Sequence, residues 1–248
     1  KYNKSNIKEV SSGEIIDWLG IKTDAEMHSW LQLPESGFLN IDDLPVPDDK
    51  VHAEAIEYIA LIVSLERALI SNRKVFTVLE LGASYAPWAI AAGVLAKRAN
   101  IKKINVIAVE ANKTMAKNIK VHANKNDIRE SKNIKVKAIH GPINVVDEDV
   151  YFPKVDVKTD NGAQVSIKKK NNDYRGLEVE YDVVKGYSLE RLSNSYDQID
   201  FLHMDVQGAE ENLLKNKSFI NILNKKVATL FLATQSRLVE GIALKKFS

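Results

Sequence analysis

The chain contains no cysteine among its 248 residues, and this absence excludes disulfide bonds, thiolate nucleophiles and cysteine-ligated metals. A cysteine-free composition suits a reducing compartment, so we expect a cytoplasmic protein. The sequence also lacks any apolar run of membrane-spanning length and shows no secretory pattern at its N-terminus, so we expect no membrane partner. The formal net charge of +2 is nearly balanced and gives no reason to expect a nucleic-acid partner.

What the sequence does contain is a regular alternation of apolar runs and helical patterns. The runs lie at residues 75–81, 104–109, 134–139, 199–204 and 227–234, and the third of them carries Lys135 and Lys137 between its apolar residues. Helical patterns at 86–98 and about 113–124 separate the first three. Such alternation predicts an α/β fold built on a doubly wound, mostly parallel sheet.

The first 50 residues are interpreted as an N-terminal helical arm or cap on a main domain at 51–248. Helical patterns at 14–19 and 24–31 precede a proline-rich stretch in this arm. An amphipathic helix is then expected over 51–70, because its apolar residues recur at helical spacing. This helix should pack beside the first strand of the sheet.

The strand and helix alternation is interrupted at about 141–187, where we predict a β-rich insertion. Short strands are expected at 155–158, 163–169 and 177–184, separated by Asn-Gly and Asn-Asn turns. We expect this antiparallel insertion to lie over the carboxyl edge of the sheet. The lysines at 168–170 are interpreted as a solvated hairpin end rather than a binding patch.

A strand, an acid, a glycine turn and a helix start follow one another at 78–87, an order typical of a nucleotide-cofactor pocket. A dinucleotide site needs G-x-G-x-x-G, but after Gly82 this chain has Ser84 and Pro87 at the other glycine positions. Glu80 would also repel a pyrophosphate. These features favour S-adenosylmethionine, whose ammonium and sulfonium are cationic and whose carboxylate would be held by N–H groups at the following helix start. The alternative is that Glu80 is only a solvated acid at a strand end.

The second apolar run also ends in an acid, Glu110, followed closely by Asn112. An acid at this position can accept hydrogen bonds from both ribose hydroxyls, which supports a nucleoside cofactor without choosing between NAD and S-adenosylmethionine. The alternative is that Glu110 caps the helix that starts near Lys113.

A third group of polar residues follows the fourth apolar run. His203, Asp205, Gln207 and Glu210 should lie at the same sheet edge as Glu80, because ligands bind at the carboxyl ends of parallel strands. Strand alternation puts His203 and Asp205 on one side, where they could share a proton or a metal. The alternative is a core histidine, and the spacing gives no tight metal-ligand set, so no metal is expected.

The chain resembles the FkbM-type methyltransferases over about 51–248. The resemblance rests on ELGAS at 80–84, VIAVEAN at 106–112, IDFLHMDVQGAE at 199–210 and TQSRLVE at 234–240. It departs from the family pattern at Tyr85 or Ala86, where a second glycine is usual, and at Gln235, where relatives tend to have histidine. The resemblance implies a seven-stranded Rossmann-like sheet of the class I methyltransferases, of which the last two strands are expected to be absent from this sequence.

The resemblance further implies an S-adenosylmethionine-dependent methyltransferase whose methyl acceptor is a hydroxyl of a sugar, glycan or small metabolite. It implies His203 or Asp205 as the base, with Glu210 fixing orientation. The cofactor residues that it implies are Glu80, Gly82, Ala83, Ser84, Glu110, Asn112, His140, Gly141 and Asp205. Of these, His140 and Gly141 would lie beside the adenine.

Two alternatives to this function remain open at the level of the sequence. A nucleic-acid methyltransferase would need lysines of the insertion at the mouth of the pocket. A non-catalytic scaffold that kept the fold is suggested by Tyr85, Ala86 and Gln235.

Overall fold

The computed structural model describes residues 10–28, 35–39, 55–156, 162–169, 171–173 and 176–247. The strands are β1 (Glu14–Ile16), β2 (Lys22–Asp24), β3 (Val75–Leu81), β4 (Lys103–Glu110), β5 (Ile134–His140), β6 (Ile143–Asn144), β7 (Asp149–Pro153), β8 (Tyr181–Lys185), β9 (Tyr187–Ser188), β10 (Phe201–Met204) and β11 (Leu230–Leu232). The helices are α1 (Ala55–Ile70), α2 (Pro87–Arg98), α3 (Lys113–Lys125), α4 (Leu189–Ser193), α5 (Glu210–Lys215), α6 (Lys217–Lys226) and α7 (Arg237–Phe247).

The centre of the fold is a five-stranded parallel sheet in the order β5-β4-β3-β10-β11. The predicted α/β fold with a mostly parallel sheet is therefore confirmed. Its register places His203 of β10 between Glu80 of β3 and Phe231 of β11. The described residues contribute no sixth or seventh strand to this sheet.

The hydrophobic core lies on both faces of this sheet. Phe76 and Val78 of β3 pack against α1, α2 and α3 on one face. Leu79 and Leu81 of the same strand pack against α4, α5 and α6 on the other. Successive side chains of a strand point to opposite faces, so a strand covered on both sides is mainly apolar, and β3 is apolar except at Thr77 and Glu80.

The N-terminal segment differs from its predicted helical form. Glu14–Ile16 is a strand that pairs antiparallel with β2, so the helix predicted at 14–19 is wrong. The carboxylate of Asp17 accepts a hydrogen bond from the N–H of Ile21 at 2.8 Å and stabilises the turn between the two strands. Of the helix predicted at 24–31, Asp24 belongs to β2 and Ala25–His28 forms one 3₁₀ turn, and residues 29–31 lie outside the described residues.

This hairpin is attached to the main sheet through α3. Lys125 on α3 forms ion pairs with Glu14 and Asp24 at 2.5 Å each, and the Lys22 N–H donates to the Asn126 side chain at 2.8 Å. The proline-rich stretch, and residues 51–54 of the helix predicted at 51–70, lie outside the described residues.

The predicted insertion contains an antiparallel strand pair, of which β8 overlaps the strand predicted at 177–184 while β7 lies outside the predicted strands. The pair consists of β7 and β8, while the stretch predicted at 163–169 forms only one bridge, between Ser166 and Tyr151. Val150 and Phe152 of β7 pack in a small cluster with Ala111 beside the main sheet. This burial selects 149–153 as the inner strand instead of 155–158.

None of the helices in the described part of the chain combines the length and the apolar character required to cross a membrane.

Candidate functional site

A cavity of about 310 Å³ lies at the carboxyl ends of β3, β4 and β10. The loops after these strands form its floor, the start of α1 borders one side, and the insertion covers it with Phe152, Val155, Ala163 and Val165. Most of the residues predicted from the sequence line this cavity, namely Glu80, Gly82, Ala83, Ser84, Glu110, Asn112, His203 and Asp205.

Glu80 is held at the start of α2. Its carboxylate accepts hydrogen bonds from the N–H groups of Ala89 at 2.6 Å and Trp88 at 3.4 Å. The residue before this helix, Ala86, offers no side-chain cap, so Glu80 satisfies N–H groups that lack a partner within the helix. Because Glu80 is only 1% exposed, the alternative of a solvated strand-end acid is wrong. Burial raises the pKa of its carboxyl well above the usual range, against the two backbone hydrogen bonds that lower it.

The loop between β3 and α2 has an unusual backbone. Gly82 has a φ of 73°, and a Cβ there would lie 1.8 Å from the carbonyl oxygen of Asp205. Ser84 and Ala86 also have positive φ values, 49° and 64°. Only glycine adopts such angles without steric cost. Of the two positions at which the sequence departs from the FkbM pattern in this loop, Ala86 has a conformation that favours glycine.

Glu110 joins the two loops that form the floor of the cavity. One carboxylate oxygen accepts the N–H of Ser84 at 2.7 Å and the other accepts the N–H of Asn112 at 2.6 Å. Burial raises the pKa of Glu110, while these backbone hydrogen bonds lower it. The cap of α3 is Asn112, whose side chain accepts from Thr114 and Met115, so the alternative of Glu110 as the helix cap is wrong.

His203 is a tightly packed histidine that still reaches the cavity. Its ring is stacked between Phe231 at 4.9 Å and Trp88 at 5.6 Å between centroids, and it is 4% exposed. Nε2 lies 3.3 Å from a carboxylate oxygen of Glu57, and Nδ1 lies 4.0 Å from Glu80. Within the described residues, the buried Nδ1 has no hydrogen-bond partner.

Glu57 on α1 is a cavity residue that sequence reasoning missed. The sequence carried a signal, because Glu57 lies four residues before Leu61, a fully buried position of the same helix. Residues four apart share one face of a helix, so an acid there is directed toward the protein interior. What it contacts could not be predicted, because His203 lies 146 residues away along the chain.

Asp205 directs a carboxylate to the cavity from the loop after β10. Its Oδ1 accepts hydrogen bonds from the side-chain amides of Gln207 at 3.1 Å and Gln235 at 2.8 Å. Burial raises the pKa of Asp205, and His203 and the Gln235 amide oppose this shift. Gln235, which stands where relatives tend to have histidine, therefore contacts this carboxylate directly.

Glu210 lies behind the cavity instead of on its surface. The side chain is completely buried, and one oxygen accepts the N–H of Val206 at 2.8 Å. The second oxygen is buried without a hydrogen-bond partner among the described residues. Burial raises the pKa of this carboxyl. Glu210 is thus placed to shape the loop that carries Asp205, and it does not border the space where a ligand would bind.

The predicted adenine residues lie beside the cavity, not in its lining. Nε2 of His140 lies 3.1 Å from the carbonyl oxygen of Ala111, and Gly141, with a φ of 140°, packs closely on the backbone of Lys185. The next two residues, Pro142 and Ile143, line the cavity instead.

The charges in the lining have one sign. Glu57, Glu80, Glu110 and Asp205 border the cavity, and no lysine or arginine of the described residues does so. Lys168 and Lys169 of the insertion are exposed and lie outside the lining, and Lys170 is outside the described residues. In the described parts of the chain, no group of three or more His, Cys, Asp or Glu side chains is arranged to hold a metal.

Comparison with known proteins agrees with this geometry. Residues 80–229 match the methyltransferase FkbM domain. The chain belongs to the FkbM methyltransferase family. A curated protein of Jannaschia sp. (strain CCS1), named "Putative methyltransferase", is 30% identical over 253 residues, which cover 96% of this chain and 81% of the relative. No solved structure matches significantly.

The FkbM match locates the site within the family domain. It begins at Glu80 and ends at Thr229, so it includes Glu110, Asp205 and their loops. Glu57 and Gln235 lie outside it. Glu57 therefore lines the cavity from a segment before the matched FkbM domain, and Gln235 contacts the cavity residue Asp205 from a segment after it.

Proposed function

We propose that this FkbM methyltransferase uses S-adenosylmethionine and methylates a hydroxyl oxygen of a small metabolite or glycan. The observation that carries the proposal is the position of Glu110. Glu110 is the last residue of β4, the strand that pairs with β3. Its carboxylate lines the cavity and accepts hydrogen bonds from two backbone N–H groups. An acid at this position is suited to accept hydrogen bonds from ribose hydroxyls.

The rest of the lining also suits this cofactor. Met115, Pro142, Ile143 and Phe152 provide an apolar surface near Glu110 for a purine ring. Acidic side chains without a neighbouring lysine or arginine suit the sulfonium and ammonium of S-adenosylmethionine and disfavour the pyrophosphate of NAD. Because Glu80 already binds the N–H groups of Trp88 and Ala89, those two groups do not serve the cofactor carboxylate.

Asp205 is the better candidate for the base. S-Adenosylmethionine supplies an electrophilic methyl group, which bonds to the acceptor oxygen while the carbon–sulfur bond breaks and leaves its electron pair on sulfur. Asp205 accepts the hydroxyl proton, and a pKa raised by burial makes its carboxylate a stronger base than an exposed one. His203 is less suited as the base, because its Nε2 lies 3.3 Å from the carboxylate of Glu57 and its ring is stacked between two aromatic rings.

The nucleic-acid alternative receives less support. Such an enzyme needs cationic side chains along the path of the phosphates, and Lys168 and Lys169 are exposed away from the cavity. The scaffold alternative predicts a decayed site, whereas Glu80 and Glu110 retain buried, hydrogen-bonded positions and the half-buried Asp205 retains its hydrogen bonds.

The proposal is tested by following a labelled methyl group. The purified chain is incubated with methyl-labelled S-adenosylmethionine and a small-molecule extract of the organism that makes it. Asp205→Asn is compared with wild type under equal cofactor saturation. We expect labelled methyl ethers with wild type and a rate reduced by about 100-fold or more with Asp205→Asn. Equal rates would exclude Asp205 as the base, and label that never leaves the cofactor would exclude methyl transfer.

A further inference from the structure

One oxygen of the Asp205 carboxylate is held by two amide side chains. Oδ1 accepts hydrogen bonds from Nε2 of Gln207 at 3.1 Å and from Nε2 of Gln235 at 2.8 Å. No side chain of the described residues donates to Oδ2. A carboxylate oxygen has two lone pairs, so the two amides satisfy Oδ1. Oδ2 keeps lone pairs for a ligand in the cavity that Asp205 borders.

Gln235 is brought to this carboxylate by the sheet. The strands β10 and β11 pair in parallel as far as Met204 and Leu232, so the segments that follow them leave the sheet side by side. Gln235 therefore lies next to Asp205, although 30 residues separate them along the chain. The backbone after Gln235 is held by Ser236, whose side chain accepts an N–H from the first turn of α7 at 3.2 Å. A side chain at the surface is thus directed toward Asp205 by backbone that the sheet and a helix both fix.

Gln207 reaches the same oxygen from within the loop after β10. It has a φ of 53°, which is an unfavourable conformation for a residue with a Cβ. Such conformations persist where the surrounding contacts hold them, and they are concentrated at functional sites. A glycine at this position would relieve the backbone but would donate no hydrogen bond to Asp205. The residue type found here therefore favours the contact over the conformation.

An amide differs from an imidazole as the donor to this oxygen. Relatives tend to have histidine where this chain has Gln235. The amide of glutamine donates at every pH and carries no charge, whereas histidine gains a positive charge near neutral pH. Gln235 therefore binds Oδ1 without adding a positive charge that would make Asp205 a weaker base.

We propose that Gln235 and Gln207 are positioning residues that fix Oδ1 of Asp205, so that Oδ2 receives the proton of the methyl acceptor. This inference rests on the proposed function and identifies the reacting atom of its base. The acceptor oxygen forms a bond to the methyl carbon, and the carbon–sulfur bond breaks and leaves its electron pair on sulfur. The hydroxyl proton goes to Oδ2. The two amides act only through Asp205.

The ionisation of Asp205 reports on these amides. Burial raises its pKa, His203 on β10 and the amide of Gln235 lower it, and Glu57 on α1 raises it. Glu210 on α5 also faces Asp205, whose charge raises the pKa of the Glu210 carboxyl. All three neighbours remain in a variant of Gln235, so a change in the pKa of Asp205 there measures the amide. Loss of a donor to the carboxylate raises this pKa, and a base that must be ionised to act then needs a higher pH.

The test compares two glutamine–aspartate pairs of the same chain. Gln235→Leu removes the amide beside Asp205 at nearly constant size. Gln198→Leu is the matched control, because it removes an amide that donates to Asp200 at 2.9 Å outside the cavity lining. Initial rates of label transfer from methyl-labelled S-adenosylmethionine to a small-molecule extract are measured against pH at saturating cofactor. For Gln235→Leu we expect a maximal rate reduced about tenfold and an acidic limb moved up by about one pH unit. Cofactor affinity should be unchanged by calorimetry, and Gln198→Leu should match wild type throughout.

Two further variants separate positioning from a structural role. Gln235→His restores a donor, so it should recover most of the rate and add an ionisation near the histidine value of about 6.5 to the pH profile. Gln207→Gly removes the other amide and relieves the positive φ, so it should lower the rate without lowering stability in denaturant titrations. Wild-type rates and an unmoved acidic limb in Gln235→Leu, or an equal loss in Gln198→Leu, overturn the inference.

A titration without turnover distinguishes this inference from the proposed function. Carbon-13 NMR is recorded on protein labelled at the aspartate side-chain carboxyls, and the resonance missing in Asp205→Asn is assigned to Asp205. Its pKa should be higher in Gln235→Leu than in wild type. Equal pKa values overturn the inference whether or not an acceptor is labelled. A raised pKa without label transfer supports the contact of the amide with Asp205 and contradicts the proposed function alone.

Discussion

Gly82 lies against the backbone of Asp205 so closely that a Cβ at position 82 would be 1.8 Å from the Asp205 carbonyl oxygen. The two residues belong to loops after adjacent strands, and the N–H of Asp205 donates to Leu81 at 3.1 Å. The glycine turn therefore has a structural role, because it lets the loop that carries Asp205 pack on the loop between β3 and α2.

Gly82→Ala should damage stability and the site together. The positive φ alone costs about 1–2 kcal/mol for a residue with a Cβ, and the contact with Asp205 adds to it. We expect chemical denaturation to show a free energy of unfolding lowered by at least about 2 kcal/mol, with weaker cofactor binding.

Gly241→Ala is the control for this substitution. Gly241 lies in α7 with nothing within 4 Å of its added Cβ, so this change should stabilise the protein by about 0.5–1 kcal/mol through helix propensity. Equal effects of the two substitutions would show that the contact between Gly82 and Asp205 has no structural role.

The strained backbone at Ala86 predicts that glycine is tolerated there. Ala86→Gly loses a buried methyl group but gains about 1–2 kcal/mol from relief of the left-handed conformation. Ala92→Gly loses a similar methyl group in the interior of α2 and adds a helix penalty of about 1 kcal/mol. In denaturant titrations, Ala86→Gly should be the milder of the two by at least about 1 kcal/mol. A larger loss of stability in Ala86→Gly than in Ala92→Gly would contradict a strained backbone at Ala86.

Stability should fall as pH rises from mildly acidic values. Desolvation raises the pKa values of five carboxyl groups, those of buried Glu80, Glu110, Asp200 and Glu210 and of half-buried Asp205. Above the unfolded values near about pH 4, the unfolded chain loses these protons before the folded protein does, so ionisation favours unfolding. The carboxyls with lowered pKa, Asp147 and Glu180, are on the surface and contribute little.

Glu210→Gln tests this pH dependence in one residue. The variant keeps an acceptor for the Val206 N–H and removes the proton that titrates, so the decline of Tm between about pH 4 and pH 8 should become shallower. Its neighbour Glu211, which forms a surface ion pair with Lys215, provides the control Glu211→Gln with an unchanged slope. A Tm that rises with pH in wild type over this window would refute the account.

Two helix caps distinguish a structural role from a role in the site. Asn112 caps α3 beside Glu110, and Asn216 caps α6 away from the cavity. Replacement of either by Ala should cost about 1 kcal/mol of stability. Only Asn112→Ala should also weaken cofactor binding, by about fivefold, because it loosens the backbone that holds Glu110. Equal cofactor affinities in the two variants would separate Asn112 from the site.

The parallel sheet was predictable because its inner strands β3, β4 and β10 are buried on both faces and are therefore mainly apolar in the sequence. Glu80 and Glu110 were predictable as site residues, because strand ends in such a sheet converge on one edge. Their functions in the fold were not, since the sequence does not indicate that Glu80 would cap α2 through its carboxylate.

Long-range contacts limited the rest of the prediction. The pattern at 14–19 suits a helix or a strand, and the choice depends on the turn formed by Asp17 and on the ion pairs of Lys125. Similarly, the inner strand of the insertion is fixed by packing of Val150 near Ala111, which no local pattern encodes. Glu57 enters the cavity lining from α1, a helix that the sequence predicted to pack beside the first strand of the sheet.

The most direct test of the central claim is calorimetric titration of the purified, folded chain with S-adenosylmethionine, with NAD as the comparison ligand and Glu110→Ala as the comparison variant. We predict a dissociation constant in about the micromolar range, no heat with NAD, and affinity reduced by about tenfold or more in Glu110→Ala. A folded chain that releases no heat with S-adenosylmethionine, or a Glu110→Ala variant that binds it as tightly as wild type, would contradict the account.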